Sequence, residues 1–201
     1  SVLGIYVSGH PLDDYSLEVN HFCTHQLKDI DLFIDPITHF SFAGYVQSHV
    51  ERIGKNQKPY GILFLEDFSG SREFRLFGDN YIKFRNYFIE NTLLYFSASM
   101  VRRKWEPQNL FFKLNEVILL SNVSKKMINE IKFNICVDDV NSDFIDSLYK
   151  VVSAHPGKHN LKINIFDSNV SLDFISKKHQ VKISSKLIKA MSSFSQEYSL
   201  K

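Results

Sequence analysis

The stretch Phe40-Ser41-Phe42-Ala43-Gly44-Tyr45-Val46-Gln47-Ser48-His49-Val50-Glu51 decides the fold. Phe40, Phe42, Gly44, Val46, Ser48 and Val50 fall on one parity, and Ser41, Ala43, Tyr45, Gln47, His49 and Glu51 on the other. Successive side chains of a strand point to opposite faces, so this alternation predicts a long, half-buried β-strand. Downstream, Gly54-Lys55-Asn56-Gln57-Lys58-Pro59 is a polar turn that leads into a second strand over 60–66. Asp67-Phe68-Ser69-Gly70 has the chemistry of a hairpin turn, and 73–77 returns as a third strand.

Asp79 has N-cap chemistry and precedes Tyr81, Phe84 and Phe88 at helical spacing. Two further strand-like runs, 93–103 and 110–120, flank Lys104-Trp105-Glu106-Pro107-Gln108-Asn109. Three strands, a short helix and two strands is the layout of the OB-fold, a five-stranded, partly open Greek-key barrel. The barrel is therefore expected over 38–122. Upstream, Gly9-His10-Pro11, Asp13-Asp14 and Asp35-Pro36 punctuate 1–37, which reads as an extended lead-in with turns and one short strand.

Residues 123–201 change character. Ser124-Lys125-Lys126 reads as a linker, and Ile131, Phe133 and Ile135 alternate as a strand. Asn141 or Ser142 can cap a helix bearing Phe144, Ile145, Leu148, Val151 and Val152, which stops at His155-Pro156-Gly157. Leu161, Ile163 and Ile165, then Val170, Leu172 and Phe174, then Val181 and Ile183 read as strands. Ser184 or Ser185 caps a last helix with Leu187, Ile188, Met191 and Phe194. The expectation is a small α/β tail of order β-α-β-β-β-α, so the fold class is mixed: an OB barrel followed by this unit.

Of the 201 residues, 44% are hydrophobic and 23% charged, as in an ordinary packed protein. The net charge is +2, so any nucleic-acid site must be a local patch and not a global field. Cys23 and Cys136 stand far apart, which fits a reducing cytoplasm better than a disulfide scaffold. No run approaches the roughly 18 apolar residues of a membrane helix, and no signal peptide opens the sequence. The expected setting is soluble and cytoplasmic, with no membrane partner. Starting at Ser1-Val2-Leu3, the chain is expected to be a segment of a longer one.

An enzymatic reading finds little. The eight glycines never reach the spacing of a phosphate-binding loop. Asp13-Asp14 and Asp138-Asp139 sit beside turns, with nothing to bring them onto two metal ions. His21, Cys23 and His25 would point one way on an extended strand, yet a structural zinc site wants four ligands. No catalytic residue, metal or cofactor is expected in this segment.

Nucleic acid suits the barrel better. OB-folds bind ligands across the second and third strands, flanked by the loops joining strands one to two and four to five. Those loops carry Arg52, Lys55 and Lys58, then Arg102, Arg103, Lys104 and Trp105. Parity sends Leu63, Leu65, Phe74 and Leu76 inward and leaves Tyr60, Ile62, Phe64, Glu73 and Arg75 outward. Cations that track phosphates, interleaved with rings for bases, are what sequence-tolerant single-strand binding needs. In the tail, 174–196 contains five lysines and no acidic residue, which suits an acidic or helical protein partner. Two short stretches, 108–112 and 196–200, have the Gln-plus-apolar pattern of clamp-binding peptides, a pattern short enough to arise by chance.

The opening Leu3-Gly4-Ile5-Tyr6-Val7-Ser8-Gly9-His10-Pro11-Leu12 resembles a segment of the alpha subunit of bacterial DNA polymerase III, in which such a stretch precedes an OB domain. The resemblance continues through Phe42-Ala43-Gly44-Tyr45-Val46, Leu65-Glu66-Asp67-Phe68-Ser69-Gly70 and Phe77-Gly78-Asp79-Asn80-Tyr81, and through the tail with its His-x-Gly loop. The barrel motifs alone are shared with tRNA-synthetase OB domains. The resemblance implies a parent that polymerises DNA with Mg2+ at carboxylates upstream of this segment. It also implies an OB domain near the single-stranded template, and a tail that docks the tau subunit of the clamp loader among other replisome subunits. An alternative is a protein–protein platform with negligible DNA binding of its own.

Overall fold

A computed structural model describes residues 9–104, 106–195 and 197–201, so positions 3–8 of the opening Leu3–Leu12 stretch lie outside the described residues. The chain divides into two compact units, Ser1–Asn122 and Val123–Lys201. In the first, β1 (Ile37–Ile53), β2 (Pro59–Asp67), β3 (Gly70–Phe77), β4 (Leu93–Arg103) and β5 (Glu106–Leu119) form one antiparallel sheet of order β3-β2-β1-β4-β5. A short helix, α2 (Asp79–Ile82), lies between β3 and β4. This mixed, curled five-stranded arrangement is OB-like. β1 is long enough to pair with β2 along one half and β4 along the other, and its register shifts between Val46 and Ser48. That irregularity lets one strand turn from one side of the barrel to the other.

The inward parity holds. Leu63, Leu65 and Leu76 are each 1% exposed, and Phe74 is buried with them. The core is built on rings: Phe42 stacks on Phe96 at 4.8 Å and on Phe74 at 5.8 Å, both with interplanar angles of 10°. Tyr81 is wholly buried, and its hydroxyl donates to Glu51 Oε2 at 2.5 Å. Burial, helped by that carboxylate, pushes the phenol up to about 12. Gly61 makes room for the ring: a Cβ there would sit 2.3 Å from Tyr81 Cε2.

Between residues 9 and 37 the structure differs from the expected extended lead-in. A 3-10 turn at Asp13–Tyr15 and a six-residue 3-10 helix at Leu27–Leu32 flank a helix, α1 (Ser16–Phe22). Leu12, Leu17, Leu27 and Ile30 are all buried, and the last two join the barrel core. Their spacing is too irregular for an amphipathic signature; tertiary burial, not local pattern, holds this segment. Asp67 is central to it, accepting from Leu27 N at 2.8 Å and from Ser69 N at 2.7 Å. Gly9 takes φ +98, and a Cβ there would meet Asp13 Oδ2 at 2.6 Å. That oxygen accepts from His10 N, and the His10 ring lies 4.6 Å from Phe68 on the β2–β3 turn.

The projected line of His21, Cys23 and His25 is not present. His21 is on α1 with Nδ1 3.1 Å from Leu17 O, Cys23 ends that helix, and His25 Nδ1 meets Thr24 Oγ1 at 2.8 Å. The helix breaks the alternation that a strand would have given. Burial pushes the Cys23 thiol up to about 12. Asp79 likewise is not an N-cap: it is the first helical residue, and Gly78, at φ +55, occupies the cap position.

His49 offers a pH test. Its Nε2 is buried without a hydrogen-bond partner, beside the rings of Tyr81 and Phe88, each 5.6 Å away. Burial lowers its pKa below 6.5, against smaller opposing effects of the Glu51 carboxylate and the Phe88 backbone. A depressed histidine means that the unfolded chain binds more protons. The stability it lends is complete above pH 6.5 and is lost as pH falls through its folded value. Urea titrations of wild type and His49→Gln between pH 7.5 and 5 are expected to show a shallower acid loss in the variant. The difference cannot exceed about 1.4 kcal/mol per pH unit, the limit for one proton. Parallel curves would assign the acid sensitivity elsewhere.

The expected linker at Ser124-Lys125-Lys126 is helical, part of α3 (Leu120–Met127), whose first three residues belong to the first unit. In the second unit, β6 (Glu130–Cys136), α4 (Ser142–Ala154), β7 (Pro156–Phe166), β8 (Ser171–Val181), α5 (Ser185–Met191) and β9 (Glu197–Leu200) follow. The sheet order is β8-β7-β6-β9, with β6 and β7 parallel and both other pairs antiparallel. Asn141 and Ser184 cap their helices, accepting from Phe144 N at 2.9 Å and Leu187 N at 3.3 Å. The expected β-α-β-β-β-α order is replaced by β-α-β-β-α-β. The two strands foreseen around 170–174 and 181–183 are one, β8, interrupted by a bulge, and β9 pairs with β6 where no strand was foreseen. Phe133, Ile135, Leu161, Val181, Leu187 and Met191 form its buried centre.

Candidate nucleic-acid interface

Directly paired residues of a sheet share a face, so the ladder fixes which outward side chains are neighbours. Arg52 pairs with Tyr60, and Tyr60 with Phe77, giving one row; Val50, Ile62 and Arg75 make the next, and Ser48, Phe64 and Glu73 the third. Tyr60 and Phe77 stack at 5.0 Å with an interplanar angle of 22°. Phe77, at 57% exposed, leaves most of its surface to solvent. The two rings form a platform at the end of the β2–β3 face.

The loop after β1 rises beside that platform. Gly54 N donates to Lys58 O and Gln57 N to Gly54 O, both at 2.9 Å, while Asn56 Oδ1 accepts from Lys58 N at 3.2 Å. Gln57 takes φ +57, an αL position that closes the turn. The loop thereby presents Lys55 and Lys58 over a groove of about 570 Å3 floored by Tyr60 and Phe77.

A second groove, of about 960 Å3, begins at the same Phe77 and Gly78 and runs to the β4–β5 hairpin. Arg75, Lys83, Arg103 and Lys113 line it, with Phe111 along one wall. The Arg103 guanidinium carbon lies 3.9 Å from the Phe111 ring centre, a cation–π contact that presents a flat, charged surface. Arg75 is only partly available, since its Nε donates to Glu73 Oε1 at 2.7 Å, a bond that also raises its pKa. The two grooves share Phe77 and Gly78 as lining residues.

The expected residues therefore divide. Lys55, Lys58, Tyr60, Arg75 and Arg103 line the two grooves, and Arg52 shares the Tyr60 row. Phe64 is half-buried two rows away and lines neither. Arg102 is not in the groove: strand alternation turns it from Arg103, and it meets Ile34 O at 3.2 Å and Asp35 Oδ1 at 3.5 Å. Lys104 is exposed at the hairpin turn, and Trp105 lies outside the described residues. Phe77, Phe111, Lys83 and Lys113 were not among the expected site residues. Parity could have supplied two of them, since Phe77 follows Arg75 by two residues and Phe111 alternates with the core-packed Leu110 and Phe112.

Of the clamp-peptide stretches, 108–112 is built into β5, with Phe112 packed on the core. Gln196 of the other lies outside the described residues. Among the described residues no group of three His, Cys, Asp or Glu side chains converges to hold a metal ion, and no helix is long and apolar enough to cross a membrane.

A family model described as "DNA polymerase III alpha subunit, C-terminal domain" matches residues 131–200. Among curated proteins, DNA polymerase III subunit alpha of Buchnera aphidicola subsp. Acyrthosiphon pisum is 29% identical over 172 residues, covering 84% of this chain and 14% of that protein. The subunit of the same name from Borreliella burgdorferi is 26% identical over 155 residues, 76% of this chain and 13% of its own length. That from Buchnera aphidicola subsp. Schizaphis graminum is 22% identical over 200 residues, which is 98% of this chain and 17% of the relative. The chain thus spans less than a fifth of the length of these relatives.

Proposed function

From a chain that is a relative of the C-terminal region of DNA polymerase III subunit alpha, we propose that its barrel holds single-stranded template DNA for a replicative polymerase while its tail docks a replisome protein. The observation that carries the first half is that Phe77, stacked on Tyr60, lines both of two cation-bearing grooves. Phosphates meet Lys55, Lys58, Arg103 and Lys113, and a base stacks on Phe77 or against the Arg103–Phe111 pair. Polymerisation and its Mg2+ requirement belong, on this reading, to other parts of a longer subunit.

Support for the second half is an apolar surface on the tail. Ile145 and Tyr149 on α4 and Leu172 and Phe174 on β8 are all more than half exposed. Large exposed apolar side chains on a small domain suit an interaction surface. The clamp-loader tau subunit is the partner we assign to it. A pull-down with that subunit, repeated with Leu172→Asp, is expected to retain and then lose it.

The DNA reading is tested by titrating a fluorescein-labelled single-stranded oligonucleotide at two salt concentrations. Lys55→Glu with Lys58→Glu is expected to weaken binding by about tenfold or more and to flatten the salt dependence by roughly 0.7 for each phosphate that is no longer neutralised. Phe77→Ala is expected to cost about 1–3 kcal/mol, the range of a base–aromatic stack. Unchanged binding in both, with the tau pull-down intact, would favour a protein platform without DNA contacts of its own.

A further inference from the structure

The tail unit is electrically polarised by its topology. Because β6 and β7 run parallel, their C-terminal ends meet at one pole, where Asp138, Asp139, Asp143, Asp146 and Asp167 follow or start the adjoining turns and helix. The opposite pole collects the starts of β6 and β7, the end of α4 and the end of β8, with Lys150, Lys158, Lys177, Lys178 and Lys182 and one carboxylate, Glu130, whose register partner is Asn160.

The lysines differ from those elsewhere on the sheet. Lys132 and Lys162 each place Nζ 2.9 Å from a carboxylate oxygen of Asp173. Among the described residues, Lys158, Lys177, Lys178 and Lys182 form no ion pair.

Two of them are lifted out of the sheet by a bulge. Asn160 pairs with Gln180, but Lys162 pairs with Ile175, so Ser176–His179 is extruded from the edge strand. His179 N donates to Ser176 Oγ at 3.1 Å and closes the loop, while the His179 ring packs edge-on against Tyr149 at 5.5 Å. Beneath it is an open groove of about 550 Å3 lined by Pro156, Gly157, Asn160, Lys177, His179 and Gln180. Gln180 Nε2 donates to Asn160 Oδ1 at 3.3 Å across it.

We infer that this bulge is a second contact surface for DNA, one that binds the phosphodiester backbone without reading sequence. The chemistry favours phosphates over an acidic protein. Protein interfaces centre on apolar residues and deplete charge there, whereas this groove is lined mainly by cations and side-chain amides. The tail's exposed apolar residues on β8, Leu172, Phe174 and Ile175, precede the bulge, and Ile175 adjoins it. Backbone contacts to nucleic acid come from Lys, Asn and Gln side chains of this kind.

The experiment uses the whole chain and fluorescence anisotropy with labelled single-stranded and duplex oligonucleotides across a salt series. Lys177→Glu with Lys178→Glu is expected to weaken binding about tenfold and to lower the log–log salt slope by roughly 0.9 per phosphate on duplex or 0.7 on a single strand. Lys177→Gln with Lys178→Gln is expected to give a smaller loss, with near-UV circular dichroism unchanged in both. The loss must also appear when Lys55 and Lys58 are already reversed, which separates it from the barrel. If the barrel variant alone weakens binding and the bulge variants leave affinity and slope unaltered, the inference is overturned and the barrel reading stands. If the bulge variants alone weaken binding, the inference holds and the barrel reading fails. Stronger competition by polyglutamate than by polyphosphate of equal charge would also overturn it, in favour of an acidic protein.

Discussion

Replacing Gly157 by alanine is expected to unfold the tail. A Cβ at this position would lie 2.2 Å from Lys182 N, 2.3 Å from Val181 C and 2.4 Å from Val181 O. All three are backbone atoms, so no side chain can swing aside; β7 and β8 must separate where they cross. The crossing is held by Lys182 N donating to His155 O at 2.9 Å, and by the buried His159, whose Nδ1 is 3.0 Å from Val181 O. Its Nε2 is 3.3 Å from Ser124 O, so the same ring also ties α3 to the sheet. Overpacking costs about 1–3 kcal/mol, and each buried polar group left unpaired adds about 1–3 kcal/mol. Together that is about 4–5 kcal/mol, which reaches the lower end of the stability of a unit this size at roughly 0.05–0.15 kcal/mol per residue. An amide correlation spectrum of the variant should lose the dispersed signals of 123–201 and keep those of the barrel. A dispersed tail spectrum, melting with the wild type, would show that the strands can part cheaply.

Gly157 also shows where the sequence was readable and where it was not. His155-Pro156-Gly157 marks the end of α4 correctly, because Pro and Gly act locally. What it cannot tell is that Gly157 lies against a strand arriving from Val181, since that contact depends on an irregularity in β7, where Pro156 and His159 both pair with Val181. The same limit explains why 170–183 looked like two strands: the extruded Ser176–His179 breaks a single strand's alternation. The barrel was legible because each of its strands carries its own period-two pattern and its own turn. The site was legible where it depended on loop position, as with Lys55, Lys58 and Arg103. It was not where it depended on direction. Arg102 and Arg103 are adjacent letters, yet one faces Asp35 and the other the groove. The lead-in failed for a different reason: its buried leucines are spaced by the surface they cover, not by a helix or strand period.

Asn80→Ala is expected to loosen the seam that shapes the larger groove. The sheet order puts β3 and β5 at its two edges, and edges expose unpaired N–H and C=O groups. Asn80, just beyond β3, closes part of that gap with its side chain: Nδ2 donates to Phe112 O at 2.9 Å, and Oδ1 accepts from Leu114 N at 2.7 Å. One amide thus stands in for a neighbouring strand. Alanine removes both bonds and strands two partly buried backbone groups. With each lost bond worth about 0.5–1.5 kcal/mol and an added penalty for groups left unpaired, the loss is about 3 kcal/mol. For a unit of this size that lowers the melting temperature by roughly 10 °C. Asn80→Asp is expected to do little better, because it keeps the acceptor for Leu114 N but turns a carboxylate oxygen toward Phe112 O. Phe77 and Phe111 line the groove that this seam borders, so the variant should also bind single-stranded DNA more weakly, although no charge is removed. The salt slope distinguishes this from removal of a cation: affinity falls while the slope stays at the wild-type value. Wild-type melting and binding in Asn80→Ala would mean that β5 holds its place without the amide, and that the groove owes its shape to the rings alone.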